Sequence, residues 1–445
     1  MTEPIHTNDV TRICEQDRQI LQLALEKLAG GRNSRIAVAI KTPEASVTFV
    51  AGGRESDKAT PSETRIPIAG INKGLVAAAV LKMVEEGSLD LDVPATEYLP
   101  AAHKSQVTIR QLLSHTSGVC IPGRNYKMSL SDDEGLRLFA LATQTFLPGS
   151  VFSEEALNHA LLGLIVKRIK GAHVNDLIQR TILNELGISV WSPTGCDNNF
   201  WSATASSMSL KLSDLARVAD SLFQPLSHAS RIEALSPFVL AQLRHPSISL
   251  PEQVCPDAYA AWTIAHFGLG FATLRGADYA LYCPRPDRSV GVAHLQNHGA
   301  SVAFTFDGWS VRLSCHLLAL ITAWLSGSLH PPELPQLVAT SSISFTKLLG
   351  GLHASELAGL YVRGRENCVG VKTSADKIKI SFGPNDKIIL GRMQRDQVFV
   401  QSRNPVPVGF FACANGDPGI LLGTYAFRKL RRRKKLLSNS PAKTA

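Results

Sequence analysis

"IPIAGINKGLVAAAVLKMVEEG", residues 66–87, is the stretch on which the reading of this chain turns. Leu75, Ala78, Ala79, Leu81 and Val84 recur at helical spacing, and Gly87 supplies a common helix stop. Lys73 stands in the first turn, three residues after Gly70. A side chain at position 70 would share a helix face with Lys73, the spacing that sets a nucleophile beside a base. Glycine has no side-chain atom to attack with.

Outward from this helix, "DRQILQLALEKLAGG" (17–31) puts Ile20, Leu21, Ala24, Leu25 and Leu28 on one face and ends at a glycine pair, which predicts a helix. "RIAVAI" (35–40) and "SVTFVAGG" (46–53) flank a turn-like "KTPEA" and predict an antiparallel hairpin. From about 108 to 225 helical patterns dominate, the last being "LKLSDLARVADSLF". Strand patterns return in "GLGFATL" (268–274), "DYALYC" (278–283) and "SVGVAHLQN" (289–297), followed by an amphipathic stretch near 308–326. A sheet assembled from both ends of the domain with a helical block inserted is an α+β arrangement. The Pro- and Ser-rich segment 327–342 reads as a linker, and the short-strand rhythm of 343–427 predicts a small all-β domain. The expected organisation is therefore an extension (1–16), a main domain (17–326), the linker, the β domain and a basic tail (428–445).

Composition excludes several classes. The net charge of +9 comes mostly from "RKLRRRKK" (428–435), whose seven positive charges leave about +2 on the rest. A solvated tail is the leading reading and contact with acidic surfaces the minor one, so no specific nucleic-acid binding is expected. Eight cysteines without Cys-x-x-Cys spacing or a Cys/His cluster argue against zinc and against a disulfide framework. No metal or cofactor is expected. The apolar run 315–325 is too short to span a bilayer, and no signal-peptide core opens the chain, so a soluble cytoplasmic protein is expected.

The order of "IPIAGINKGLVAAAVLKMVEEGSLDLDVPATEYLP", "VTIRQLLSHTSGV", "PGSVFSEEALNHALLGLIV", "SLKLSDLAR", "FGLGF" and "PDRSVGVAHLQN" resembles the β-lactamase-related serine hydrolases. This family includes class C β-lactamases, penicillin-binding-protein-like peptidases, esterases and acyltransferases. The resemblance covers about 17–326 and implies an antiparallel sheet flanked by helices; the C-terminal segment is similar to a small domain of fungal members. The family's chemistry uses Ser-x-x-Lys, Tyr-x-Asn and a final Lys-Thr-Gly or His-x-Gly strand. Position 70 of the first motif is glycine here, and Lys73 is kept. Gap-free alignment puts Glu154 at the tyrosine and Ala156 at the asparagine. The third motif falls either at "NHG" (297–299) or, with a better following strand, near Arg275 and Gly276. Other Ser-x-x-Lys matches, at Ser344, Ser374 and Ser440, lie outside the resembling region.

The resemblance thus implies a cleft with Lys73 and Glu154 as an acid/base couple, and Gly70, Asn72, Ala156, Arg275 and Gly276 lining a small-molecule site. At the start of its helix Lys73 meets the positive end of the helix dipole, and a carboxylate would offset that. Three functions follow: non-covalent acid/base chemistry on a small carbonyl-containing metabolite, as in specialised metabolism; a non-catalytic binding or scaffold protein in which the pair is a structural salt bridge; or a hydrolase or acyltransferase with another nucleophile, for which Ser117 and Cys120 are the poor candidates. His115 and His298 read as structural or surface histidines.

Overall fold

The computed structural model describes residues 15–30, 35–53, 65–99, 106–121, 130–191, 199–203, 206–223, 235–250, 264–274, 279–284, 288–308 and 311–329, and in the C-terminal part 343–347, 354–363, 367–374, 377–381, 388–394, 397–401, 408–415, 417–422 and 425–429. The expected tail beyond Lys429, most of the linker, and Arg275 and Gly276 lie outside the described residues.

Helix α1 (Glu15–Ala29) turns Leu21, Ala24 and Leu25 inward, as its period requires. The expected hairpin follows as β1 (Arg35–Lys41) and β2 (Ser46–Gly52), with Val38 opposite Phe49. After β3 (Arg65–Ala69) the chain enters α2 (Asn72–Glu85), whose residues 74–81 are buried without a break. Gly87 closes α2 at φ +71, the Ser88 N–H donating to the Met83 carbonyl and the Gly87 N–H to that of Val84. This is a Schellman motif, and it needs a residue that tolerates positive φ.

The helical block holds α3 (Ala95–Tyr98), α4 (Ile109–Leu113), β4 (Val119–Cys120), α5 (Asp132–Leu141), β5 (Thr143–Gln144), α6 (Ala156–Lys170) and α7 (Val174–Ile178). Capping boxes start α4 (Thr108/Gln111) and α5 (Ser131/Glu134). Leu210 and Lys211, which open the helical pattern "LKLSDLARVADSLF", instead end β6 (Ser206–Lys211), pairing with β3, and α8 (Leu212–Phe223) starts only afterwards. Backbone pairing with β3 overrides the local helical pattern there. Helix α9 (Pro237–Arg244) precedes β7 (Ile248–Ser249), β8 (Ile264–Phe267), β9 (Ala272–Leu274), β10 (Tyr279–Pro284), β11 (Arg288–Leu295), β12 (Ala300–Asp307) and α10 (Val311–Leu325).

Eight strands form one antiparallel sheet in the order β2-β1-β12-β11-β10-β9-β8-β7. Strand β12, for which the sequence pattern gives no assignment, lies third in this order and pairs with β1, Val38 facing Phe304. Side chains alternate across β1: Ile36, Val38 and Ile40 pack with α1 and α10, while Ala37 and Ala39 face the layer of α2 and α8. Small residues on that side let the helices approach closely.

The C-terminal part is a second antiparallel sheet of nine strands, β13 (Ile343–Lys347), β14 (Gly359–Arg363), β15 (Asn367–Ser374), β16 (Lys377–Ser381), β17 (Ile388–Gln394), β18 (Gln397–Gln401), β19 (Val408–Ala412), β20 (Pro418–Leu422) and β21 (Tyr425–Lys429). It curls so that its two edge strands, β13 and β19, come near each other. The α+β class and the all-β C-terminal sheet match the sequence expectation. No described helix is long and apolar enough to cross a membrane.

In the central sheet Gly291 lies opposite Phe304, and a Cβ at 291 would meet the phenyl ring at 2.2 Å. Gly291→Ala is expected to cost about 1–3 kcal/mol through overpacking, measurable by urea denaturation. An unchanged midpoint would mean the ring moves freely out of the way.

Candidate active site

The site is built where two helix starts meet. Between β3 and α2 the chain turns through Ala69, a buried alanine at φ +46, and Gly70 follows with no positive φ of its own. The left-handed residue of this turn is thus the alanine, and the conformation does not demand glycine at 70. Strained non-glycine backbone concentrates at functional sites, and the other described non-glycine residue with positive φ, His115 at +55, lies in the same region. The N–H groups of Ile71, Lys73 and Gly74 are used in tight turns to Ile68, Gly70 and Ile71 carbonyls.

Lys73, in the first turn of α2, donates its ammonium to Glu154 Oε1. The two side chains are 15% and 25% exposed, so the pair is sheltered yet open to a small molecule. Glu154 and Glu155 stand immediately before α6, where the helix dipole favours negative charge. Ala156 begins α6 and packs on the core with a methyl group, offering no hydrogen bond.

Asn72, expected to line the substrate corner, is turned away from it. Its side chain is buried, and Nδ2 donates to Asn175 Oδ1 (3.0 Å) and to the Ser202 carbonyl (3.1 Å). The Nδ2 group thus ties α2 to α7 and to the 199–203 segment, while the buried Oδ1 accepts no hydrogen bond from any described residue.

The "SHTSG" loop is tied to the segment before α6 and to α6 itself by hydrogen bonds. His115 Nδ1 accepts the Glu155 N–H (3.3 Å) and lies 3.2 Å from Asn158 Nδ2, and the His115 carbonyl accepts the Ser153 N–H (2.9 Å). Its ring packs 4.7 Å from that of His159. Burial, helped by the charge of Lys73, holds His115 well below the ordinary histidine range. His159 is lowered likewise, by burial first and then by the neighbouring His115. Ser117 is buried and its hydroxyl donates to Asn158 Oδ1 at 2.7 Å. Burial, followed by the charge of Glu155, pushes the Cys120 thiol up to about 12. Neither Ser117 nor Cys120 is an activated, accessible nucleophile. His298 sits in the short helical turn between β11 and β12, its Nε2 3.5 Å from Ser326 Oγ, away from Lys73.

A buried serine, histidine and aspartate that the sequence reading missed lie between α8 and the sheet. Ser301 Oγ donates to Asp220 Oδ1 (3.0 Å) and therefore accepts from His294 Nδ1 (2.9 Å). The serine is the middle member, and its proton is spent on the carboxylate, so the imidazole cannot activate it. Burial, with the charge of Arg244, lowers His294 to about 4.

The segment carrying Glu154 also touches the C-terminal sheet, through residues that no sequence signal singles out because the partners are far apart in the chain. Arg363 in β14 donates to Glu155 Oε1 from Nε (2.7 Å) and Nη2 (2.5 Å), and Ser153 Oγ accepts the Ala426 N–H (3.2 Å). Ala426 and Phe411 join Phe146, Val151, Phe152 and Phe267 in an apolar cluster at this junction. Burial raises the Glu155 carboxyl and the Arg363 guanidinium pulls it back. Among the described residues no group of His, Cys, Asp and Glu is placed to hold a metal ion.

The family model described as Beta-lactamase matches residues 26–299. The chain belongs to the Beta-lactamase family. Esterase EstB of Burkholderia gladioli is 32% identical over 157 residues, 30% of this chain and 40% of that relative, so the chain matches well under half of the relative's length. Among solved structures, SurE with D-Leu superposes with a TM-score of 0.66 at 19% identity, covering 93% of this chain and all of the other. The D-amino acid amidase of Ochrobactrum anthropi SV3 with L-phenylalanine gives 0.56 at 16% identity over 71% of this chain and 99% of the other. The structural likenesses show that the chain has a penicillin-binding-protein-like fold.

The buried histidines give the fold an acid limit. His294, His115 and His159 stay neutral in the folded protein at pH values where an unfolded histidine, near 6.5, has bound a proton. Stability is therefore expected to fall as pH drops from about 6.5 towards 4, each histidine adding a slope of about 1.4 kcal/mol per pH unit. Denaturant titrations across this range check it, and His294→Gln should flatten the profile by one such slope.

Proposed function

We propose that this chain binds a small carbonyl-containing metabolite and acts on it by proton transfer through Lys73 and Glu154, with no acyl-serine intermediate. The observation that carries the reading is the sheltered but accessible Lys73–Glu154 pair beside Gly70. In this chemistry the Glu154 carboxylate takes a proton from the carbon next to the carbonyl. The Lys73 ammonium hydrogen-bonds the oxygen on which negative charge develops, and the proton returns to carbon from the carboxyl group. Isomerisation, cyclisation and elimination all begin with this step, and such steps suit specialised metabolism. The hydrolase and amidase names among the similar proteins support a carbonyl compound as the ligand class.

A second reading, a binding protein without turnover, is favoured by one observation: the two charges satisfy each other in the unliganded site. A hydrolase using Ser117 or Cys120 has little support, since both are buried and one is a weakly acidic thiol.

Deuterium uptake from heavy water into a panel of 1,3-dicarbonyl and α-amino carbonyl compounds, followed by NMR, separates the readings. Acid/base chemistry predicts uptake that Lys73→Met and Glu154→Gln each reduce by about 10²- to 10⁴-fold, while both variants stay folded and lose about 1–3 kcal/mol of stability, as expected when one charge of a largely sheltered pair is left alone. Ligand-dependent stabilisation without deuterium uptake would favour the binding protein.

A further inference from the structure

The residues on either side of Glu154 are both held by the C-terminal sheet. Ser153 Oγ receives the Ala426 N–H, and the Glu155 carboxylate receives two N–H groups from Arg363. Glu155 has extended backbone (φ −115°, ψ 126°), and in extended chain alternate side chains point to opposite sides. Residues 153 and 155 therefore face the C-terminal sheet, and Glu154, between them, faces Lys73. The other side of the segment is fixed by His115, whose carbonyl takes the Ser153 N–H and whose ring takes the Glu155 N–H.

We propose that Arg363 is a positioning residue for the Lys73–Glu154 pair, so that the C-terminal sheet completes the candidate site instead of standing apart from it. The reason is electrostatic as well as geometric. Glu155 is 3% exposed, and a carboxylate so buried needs a partner to remain charged. Without the guanidinium, Glu155 either takes up a proton or moves towards water, and it can also compete with Glu154 for the Lys73 ammonium. Each course changes the aim of Glu154. Lysine can supply a point charge at 363 but not two N–H groups from one rigid plane, so it should restore the arrangement only in part. This inference concerns the geometry of the pair and stands whether the site is catalytic or only binds.

Lys73 acetylation read by peptide mass spectrometry tests it without any substrate. The full-length protein is treated with limiting N-acetylsuccinimide at several pH values, and the rate at Lys73 is normalised to that at Lys82 on the same helix. An amine held by a well-placed carboxylate is slow to react. Arg363→Gln is expected to raise the normalised Lys73 rate about tenfold by loosening the hydrogen bond that occupies the amine, with Arg363→Lys falling between it and the native protein. A role limited to gluing the domains together predicts lower stability but an unchanged rate and pH profile at Lys73, and that result would overturn the proposal. Should Arg363→Gln fold poorly, the double variant Arg363→Gln/Glu155→Gln removes the uncompensated buried charge. With the ion pair that anchors residue 155 to β14 gone, it should still show faster Lys73 acetylation, and a native rate in that protein would equally overturn the proposal.

Discussion

Backbone pairing between β1 and β12 is the constraint on which the large domain rests. Ile36 meets Phe306 and Lys41 meets Ser301, so two strands from opposite ends of the domain become neighbours within one sheet. Closing so long a loop carries an entropic cost, though one that grows only slowly with length. Burial on both faces offsets it: α1 and α10 cover one side, and α2 and α8 the other. That sandwich holds the start of α2 still, and the position of Lys73 follows from it.

The candidate site adds a second constraint, the management of buried charge. Two adjacent carboxylates precede α6, and each has a cation of its own: Glu154 the lysine of α2, Glu155 the arginine of the C-terminal sheet. The two pairs differ in kind. Lys73–Glu154 is open enough for a small molecule to exchange with one partner. Glu155–Arg363 is closed, and removing either member would strand a charge. An open pair supported by a closed one suits a site that must accept a ligand without losing its shape. The buried histidines beneath it stay neutral, adding aromatic packing without adding charge.

Much of this was legible in the sequence because it is local. Helical spacing located α1 and α2, alternation located β1, β2 and the C-terminal strands, and the alignment that put Glu154 at a tyrosine position anticipated its meeting with Lys73. What was missed depends on distant pairing. Leu210 and Lys211 look helical until β3 is beside them, and 300–307 gain their meaning from β1. Asn72 was expected at the substrate because it lies between Gly70 and Lys73. The helix turn points it instead into the interior, towards Asn175. Nothing in the run "GLYVRG" announces Arg363, since its partner lies in the other part of the chain.

The proposed chemistry without an acyl-serine intermediate depends on residue 70 being a nucleophile position that holds no nucleophile, in a turn where Gly70 has no positive φ. Intact-mass spectrometry after exposure to a fluorophosphonate, on the native protein and on Gly70→Ser side by side, tests this most directly. The account predicts no adduct on the native chain and a single adduct on Gly70→Ser, at residue 70 by peptide mapping, because the backbone accepts the serine and Lys73 stands one turn away. A stoichiometric adduct on the native protein would contradict it, revealing an active nucleophile elsewhere.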